Sequence, residues 1–93
     1  MRVEVELLGV LRGRLGRDSL SLEVSSPSTG LRDLLRHLRA SHPDLREAVD
    51  EEGGLTTSYI AFINGVDYRL LGGLEYALRD GDRVSLVPIS HGG

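Results

Sequence analysis

The 93-residue chain contains no cysteine. Disulfides, thiolate metal sites and a cysteine nucleophile are therefore excluded, and any sulfur it handles must come from a partner. Lysine is absent as well, all 11 basic residues being arginine. With no side-chain amine, the Met1 amino group is the only site at which nitrogen could be acylated. Aromatics are few, three tyrosines and one phenylalanine, and the net charge is −3. That balance argues against a nucleic-acid binder, which shows a basic surface and stacking side chains. Nowhere do the roughly 18 apolar residues of a membrane span run together. Arg2 to Glu6 alternate charge with valine, unlike a secretory leader. The expectation is a cytoplasmic protein with neither a membrane nor a direct nucleic-acid partner. His37, His42 and His91 lack a spacing that would put two on one helix face, so no metal site and no bound cofactor are expected.

The residues that are present describe one small globule. Its length leaves room for a single core, and 40% hydrophobic against 27% charged residues is an ordinary globular balance. Val3, Val5 and Leu7 alternate with Arg2, Glu4 and Glu6, the period of a strand buried on one face; Leu20, Leu22 and Val24 repeat it. Gly13 to Asp18 reads as the hairpin loop between these two antiparallel strands. Leu31, Leu34, Leu35 and Leu38 form one apolar stripe along a helix, with Thr29 as its N-cap and Pro43 as its stop. Residues 44–57 read as a charged surface segment with one short helical turn. Tyr59 to Ile63 reads as a central strand covered on both sides and closed by an Asn64-Gly65 turn. A further turn at Asp80-Gly81-Asp82 leads into a last strand, Arg83 to Val87, expected to lie parallel to the first at the centre of the sheet.

Alternation along that last strand turns Val84 and Leu86 inward and Ser85 and Val87 outward, with Ile60 and Phe62 on the same outer face. A Phe62/Val87 pair beside the tail is a natural partner patch, bordered by Ile89, Leu70 and Leu71. The alternative, that Phe62 simply helps close the core, stays open. The chain then ends in Gly92-Gly93, a thread without side chains whose terminal carboxylate could enter an enzyme tunnel. An α-carboxyl titrates at about 3.3–3.7, so at neutral pH Gly93 offers an ionised oxygen nucleophile to the α-phosphate of ATP. Glycine is common here, at 12 of 93 residues, so the ending alone decides nothing. His91 either orients that tail in a partner or is merely solvated. No Ser/His/Asp set, paired acid carboxylates or phosphate-binding glycine loop marks an enzyme, and Gly72-Gly73 reads as a turn.

Taken together these residues resemble the β-grasp sulfur-carrier group: the ubiquitin-related modifiers, the small subunit of molybdopterin synthase and the thiazole-synthesis sulfur carrier. The stretch Ile63-Asn64-Gly65-Val66-Asp67-Tyr68-Arg69-Leu70-Leu71-Gly72-Gly73-Leu74-Glu75-Tyr76-Ala77-Leu78 is most similar to the modifier branch. Leu78-Arg79-Asp80-Gly81-Asp82-Arg83-Val84 is shared across the group. Ser90-His91-Gly92-Gly93 also resembles the modifier branch, while Pro88 is similar to the proline-rich approach in the molybdopterin-synthase subunit. The resemblance implies an α+β, ubiquitin-like β-grasp fold, one helix on a four- to five-stranded mixed sheet. Residues 1–88 would form this domain and 89–93 a flexible C-terminal tail. It further implies a carrier or protein modifier, not an enzyme. An E1-like adenylating enzyme would use ATP to activate Gly93, and a sulfur donor protein would convert it to a thiocarboxylate. The sulfur would go to tRNA thiolation or molybdopterin synthesis, with target-protein lysines or the molybdopterin-synthase large subunit as further partners. The competing expectation is a non-covalent β-grasp interaction module with no C-terminal chemistry.

Overall fold

The computed structural model describes residues 1–25 and 29–89. Five strands, β1 (Arg2–Leu7), β2 (Ser19–Glu23), β3 (Tyr59–Ile63), β4 (Val66–Asp67) and β5 (Arg83–Pro88), form one sheet in the order β2-β1-β5-β3-β4. Two helices accompany them, α1 (Val10–Leu15) and α2 (Leu31–Ser41). The β1–β2, β3–β5 and β3–β4 pairs are antiparallel, and β1 and β5 run parallel side by side. The start of β1 therefore lies beside the start of β5, at the end of the sheet opposite Pro88. This is the mixed β-grasp sheet that the resemblance implied.

Register explains how one face becomes the core. Val5 sits opposite both Leu20 and Val84, and Leu86 sits opposite both Leu7 and Ala61. The four leucines of the α2 stripe cover this layer and are buried with it. Each fully buried leucine contributes about 2 kcal/mol of transfer free energy, so the stripe holds the helix on the sheet far more firmly than intrinsic propensity does. The N-cap is Gly30 rather than the expected Thr29. An isolated bridge between Gly30 and Ala77 fixes this start, with the Leu31 N–H donating to the Tyr76 carbonyl and the Leu78 N–H to that of Thr29.

Three further expectations need correction. The hairpin loop between β1 and β2 contains α1, which buries Leu11 completely and closes on Gly16 at φ 69, whose N–H donates to the Arg12 carbonyl at 3.0 Å. Residues 44–57 are no mere surface segment: a 3₁₀ turn over Pro43–Glu47 leads Leu45, Ala48 and Val49 into the core. Their i, i+3, i+4 spacing is helical; of the charged residues between them Arg46 faces water and the half-buried Glu47 pairs with Arg14 at 2.6 Å. The segment then turns about Asp50, whose side chain accepts from the Glu52 and Gly54 N–H groups at 2.9 Å. Those bonds hold its carboxyl below the usual carboxylate range. At Gly53, φ 88, an added Cβ would overlap the Arg32 carbonyl of α2, so only glycine fits there.

The third correction concerns β3. It is an interior strand paired along both edges, as expected, but it is not covered on both faces, since its side chains alternate between buried and half-buried. Tyr59, Ala61 and Ile63 join the core; Ile60 and Phe62 face the other way. Asn64 at φ 51 and Gly65 at φ 84 turn β3 into β4 through two left-handed residues, the backbone twist a tight hairpin favours.

Candidate functional site

The face of the sheet away from α2 has two characters. Across its middle Glu6 lies opposite Ser19 and Ser85, and Ser85 lies opposite Phe62. The Ser85 hydroxyl donates to the Glu6 carboxylate at 3.1 Å, and Arg83 lies 3.9 Å from Glu4. A shallow depression of about 490 Å³ opens here, lined by Glu6, Asn64, Gly65, Gly81, Arg83 and Ser85. Toward the end of β5 the polarity falls away. Ile60 sits opposite Val87, one step along from Phe62, and all three are half-buried. The register thus brings Ile60, Phe62 and Val87 together, while Leu70 and Leu71 lie on a 3₁₀ turn, Tyr68–Leu71, beyond β4. Leu70 is 79% exposed and stands apart from Val87 across two strands.

Where β5 ends, the backbone stays attached for one more residue. Tyr59 is opposite Pro88, and the Ile89 N–H donates to the Ser58 carbonyl at 2.8 Å. Ile89 itself is 40% exposed. On the other flank of β5, Gly9 at φ 66 leads from β1 into α1 and lies against the Pro88 ring, with Val10 beside it 56% exposed. Sequence reasoning missed Gly9 and Val10, because they fall between the last alternating residue, Leu7, and the Gly13 to Asp18 loop and carry no periodic signal of their own. His91, Gly92 and Gly93 lie outside the described residues.

At the opposite end of β5 a buried carboxylate organises the sheet. Asp82 is 5% exposed. It accepts from Asn64 Nδ2 at 2.8 Å, from the Tyr76 hydroxyl at 2.9 Å and from the Arg79 N–H at 2.8 Å. Asn64 in turn exchanges backbone and side-chain bonds with Arg83, at 2.8 and 2.9 Å. Burial alone would push the Asp82 carboxyl up, but the bonds from Arg79, Asn64 and Tyr76 outweigh it and hold the acid below its ordinary range. Burial and, after it, the same contact push the Tyr76 phenol up. Arg79 and Tyr76 close the turn that leads into β5 and Asn64 reaches across from the end of β3, so the cluster ties the β3–β5 register to that turn rather than forming a reactive centre.

Among the described residues no group of three or more His, Asp or Glu side chains could hold a metal ion. No helix among them is long and apolar enough to cross a membrane.

Comparison with known proteins places this geometry among carriers and modifiers. The model of the ThiS family matches residues 5–93. Small archaeal modifier protein 3 of Haloferax volcanii is 31% identical over 93 residues, covering 100% of each chain. Ubiquitin-related modifier 1 of Eremothecium gossypii is 29% identical over 99 residues, covering 100% of this chain and 99% of the other. A putative sulfur carrier protein of Archaeoglobus fulgidus is 33% identical over 73 residues, 77% of this chain and 83% of the relative. Among solved structures, SAMP1 from Haloferax volcanii superposes with a TM-score of 0.80 at 26% identity, covering 100% of both chains.

Proposed function

The chain belongs to the ThiS family and is a ubiquitin-like sulfur carrier or modifier rather than an enzyme, and from that premise we propose that its reactive group is the Gly93 carboxylate. The observation that supports this most strongly is that the family match runs through β5 and on to residue 93. A carboxylate oxygen of Gly93 attacks the α-phosphorus of ATP on an E1-like adenylating enzyme, and pyrophosphate leaves. A hydrosulfide-level sulfur, supplied by a donor protein because this chain has no thiol, then attacks the acyl carbon. AMP leaves with the carboxylate oxygen, and a thiocarboxylate remains. ATP is thus a cofactor of the partner and not of this chain. The sulfur goes to tRNA thiolation or, as the second destination, to molybdopterin synthesis through the large subunit of that synthase. The same acyl-adenylate serves conjugation when a target-protein lysine is the nucleophile. Lacking lysine, the chain cannot branch on its own side chains.

The test is the intact mass of the protein recovered from its own cells, read beside a reducing denaturing blot. Replacement of one oxygen by sulfur identifies a carrier, and reduction-resistant larger species identify a modifier. An unaltered carboxylate with no adduct under sulfur starvation or oxidant stress would leave a non-covalent interaction module in its place. In adduct mapping, trypsin cuts last after Arg83, so the remnant on a modified lysine is Val84 to Gly93 and not a bare diglycine.

The half-buried trio Ile60, Phe62 and Val87 is the docking patch in this reading, with Ile89 at its border. Phe62→Ala is expected to weaken docking by about 2 kcal/mol, roughly thirtyfold in the KM of the adenylating enzyme for this protein, with kcat nearly unchanged. Normal activation of a folded Phe62→Ala protein would remove the patch from the proposal.

A further inference from the structure

The tail leaves the fold between two grips, and one of them is a glycine that the hydrophobic pattern does not explain. Gly9 has φ 66 and ψ −138, a conformation almost confined to glycine. A Cβ added there would stand 3.0 Å from Pro88 Cγ and 3.6 Å from Cδ. The first distance is well inside ordinary carbon–carbon contact of about 3.5–4.0 Å. The β1–α1 junction is thus drawn against the Pro88 ring as closely as the absence of a side chain permits. From the other flank, Ser58 accepts the Ile89 N–H at 2.8 Å. Proline fixes its own φ, so three consecutive constraints act on two residues: a ring held from one side, a locked dihedral and a hydrogen bond from the other. The core does not require this arrangement, since Pro88 and Ile89 are exposed and Gly9 is too.

We infer that Gly9 is a positioning residue that, with Pro88 and the Ser58 carbonyl, fixes the direction in which the C-terminal segment leaves the sheet. The inference rests on the reading of Gly93 as the activated carboxylate. An enzyme that docks the outer face and receives the tail in a tunnel needs the two at a set angle. A tail free to leave in several directions presents that angle for only part of the time, and its apparent affinity falls by the same fraction.

The experiment is ATP–pyrophosphate exchange by the E1-like enzyme purified from the same cells, with the carrier concentration varied, for four proteins: wild type, Gly9→Ala, Pro88→Ala and the double variant. Amide ¹⁵N relaxation at Ile89 and the ¹H–¹⁵N spectrum accompany each. Gly9→Ala is expected to raise KM about tenfold, with kcat within about twofold of wild type and a less ordered Ile89 amide. Part of the damage could be backbone strain alone, and the double-mutant cycle separates it. Strain acts in both backgrounds, whereas the ring contact exists only with Pro88, so Gly9→Ala should change KM less than about threefold once Pro88 is alanine. Gly16→Ala, at φ 69 with nothing within 4 Å of its added Cβ, should leave KM at the wild-type value. An unchanged KM in folded Gly9→Ala, or an equal rise in both backgrounds, overturns the inference. If Gly9→Ala does not fold, Pro88→Ala decides: a rise of about tenfold with a loosened Ile89 supports the inference, and an unchanged KM overturns it. Absence of exchange with the wild-type protein would overturn the carrier reading itself, and this inference with it.

Discussion

Deletion of Gly92 and Gly93 is expected to abolish every ATP-dependent product of this protein while moving its Tm by no more than roughly 3 °C. The separation follows from where the fold's interactions stop. Every side chain of the described core lies between Val3 and Leu86, and the described backbone ladder ends at the bond from Ile89 to Ser58. Loss of the last two residues leaves all of that in place and removes the proposed nucleophile. Truncation also leaves Ile60, Phe62 and Val87 intact, so binding to the adenylating enzyme should persist without exchange. An ATP-dependent thiocarboxylate or adduct from the truncated chain would show that the reactive carboxylate is not that of Gly93. Retained partner binding together with full biological activity would instead favour the interaction module.

Asp82→Ala is expected to be the most destabilising single change outside the apolar core, costing about 3 kcal/mol and lowering Tm by roughly 15 °C. The variant would leave Asn64 Nδ2, the Tyr76 hydroxyl and the Arg79 N–H without the acceptor they share. These bonds are part-buried, and donors left without an acceptor there cost more than the bonds themselves contribute. Asp82 is 5% exposed, so water cannot readily substitute. The charge adds a pH signature. Its folded-state pKa lies below the unfolded value, so its contribution is fully present above an unfolded pKa of about 3.9 and is lost as pH falls through the folded value. Chemical denaturation should therefore show a wide gap between wild type and Asp82→Asn at pH 7 and a narrowing one as pH falls below about 4. A gap independent of pH would mean that the carboxylate's charge contributes nothing to the clamp.

Strict alternation made β1 and β2 legible in the sequence, and the leucine stripe did the same for α2, because each pattern has one face against the core and one against water. The inward turn of Val84 and Leu86 was legible for the same reason. α1 was not, since six residues containing Gly13 and a single fully buried side chain, Leu11, give too little periodicity to rise above a loop. Leu11 and Leu15, four apart and followed by Gly16, were the signal available. The buried trio Leu45, Ala48 and Val49 was hidden by the charges between its members. Asp82 was legible as a turn residue only: its bond from the Arg79 N–H is local to that turn, whereas Asn64, 18 residues away, meets it through the fold. Ile60 and Phe62 could be assigned to a face from alternation, whereas the contact between Gly9 and Pro88 joins residues nearly a chain length apart.

The parallel pairing of β1 with β5 has a mechanical consequence. The start of β1 lies at one end of the sheet and the tail leaves β5 at the other, so tension applied to the tail of an anchored molecule runs along these two strands in opposite directions. Their interstrand bonds are then loaded in shear, all together, instead of being peeled apart one by one from an edge. A partner that seizes the tail of a molecule held at its N-terminus therefore loads the whole β1–β5 seam at once and does not unzip it from an edge.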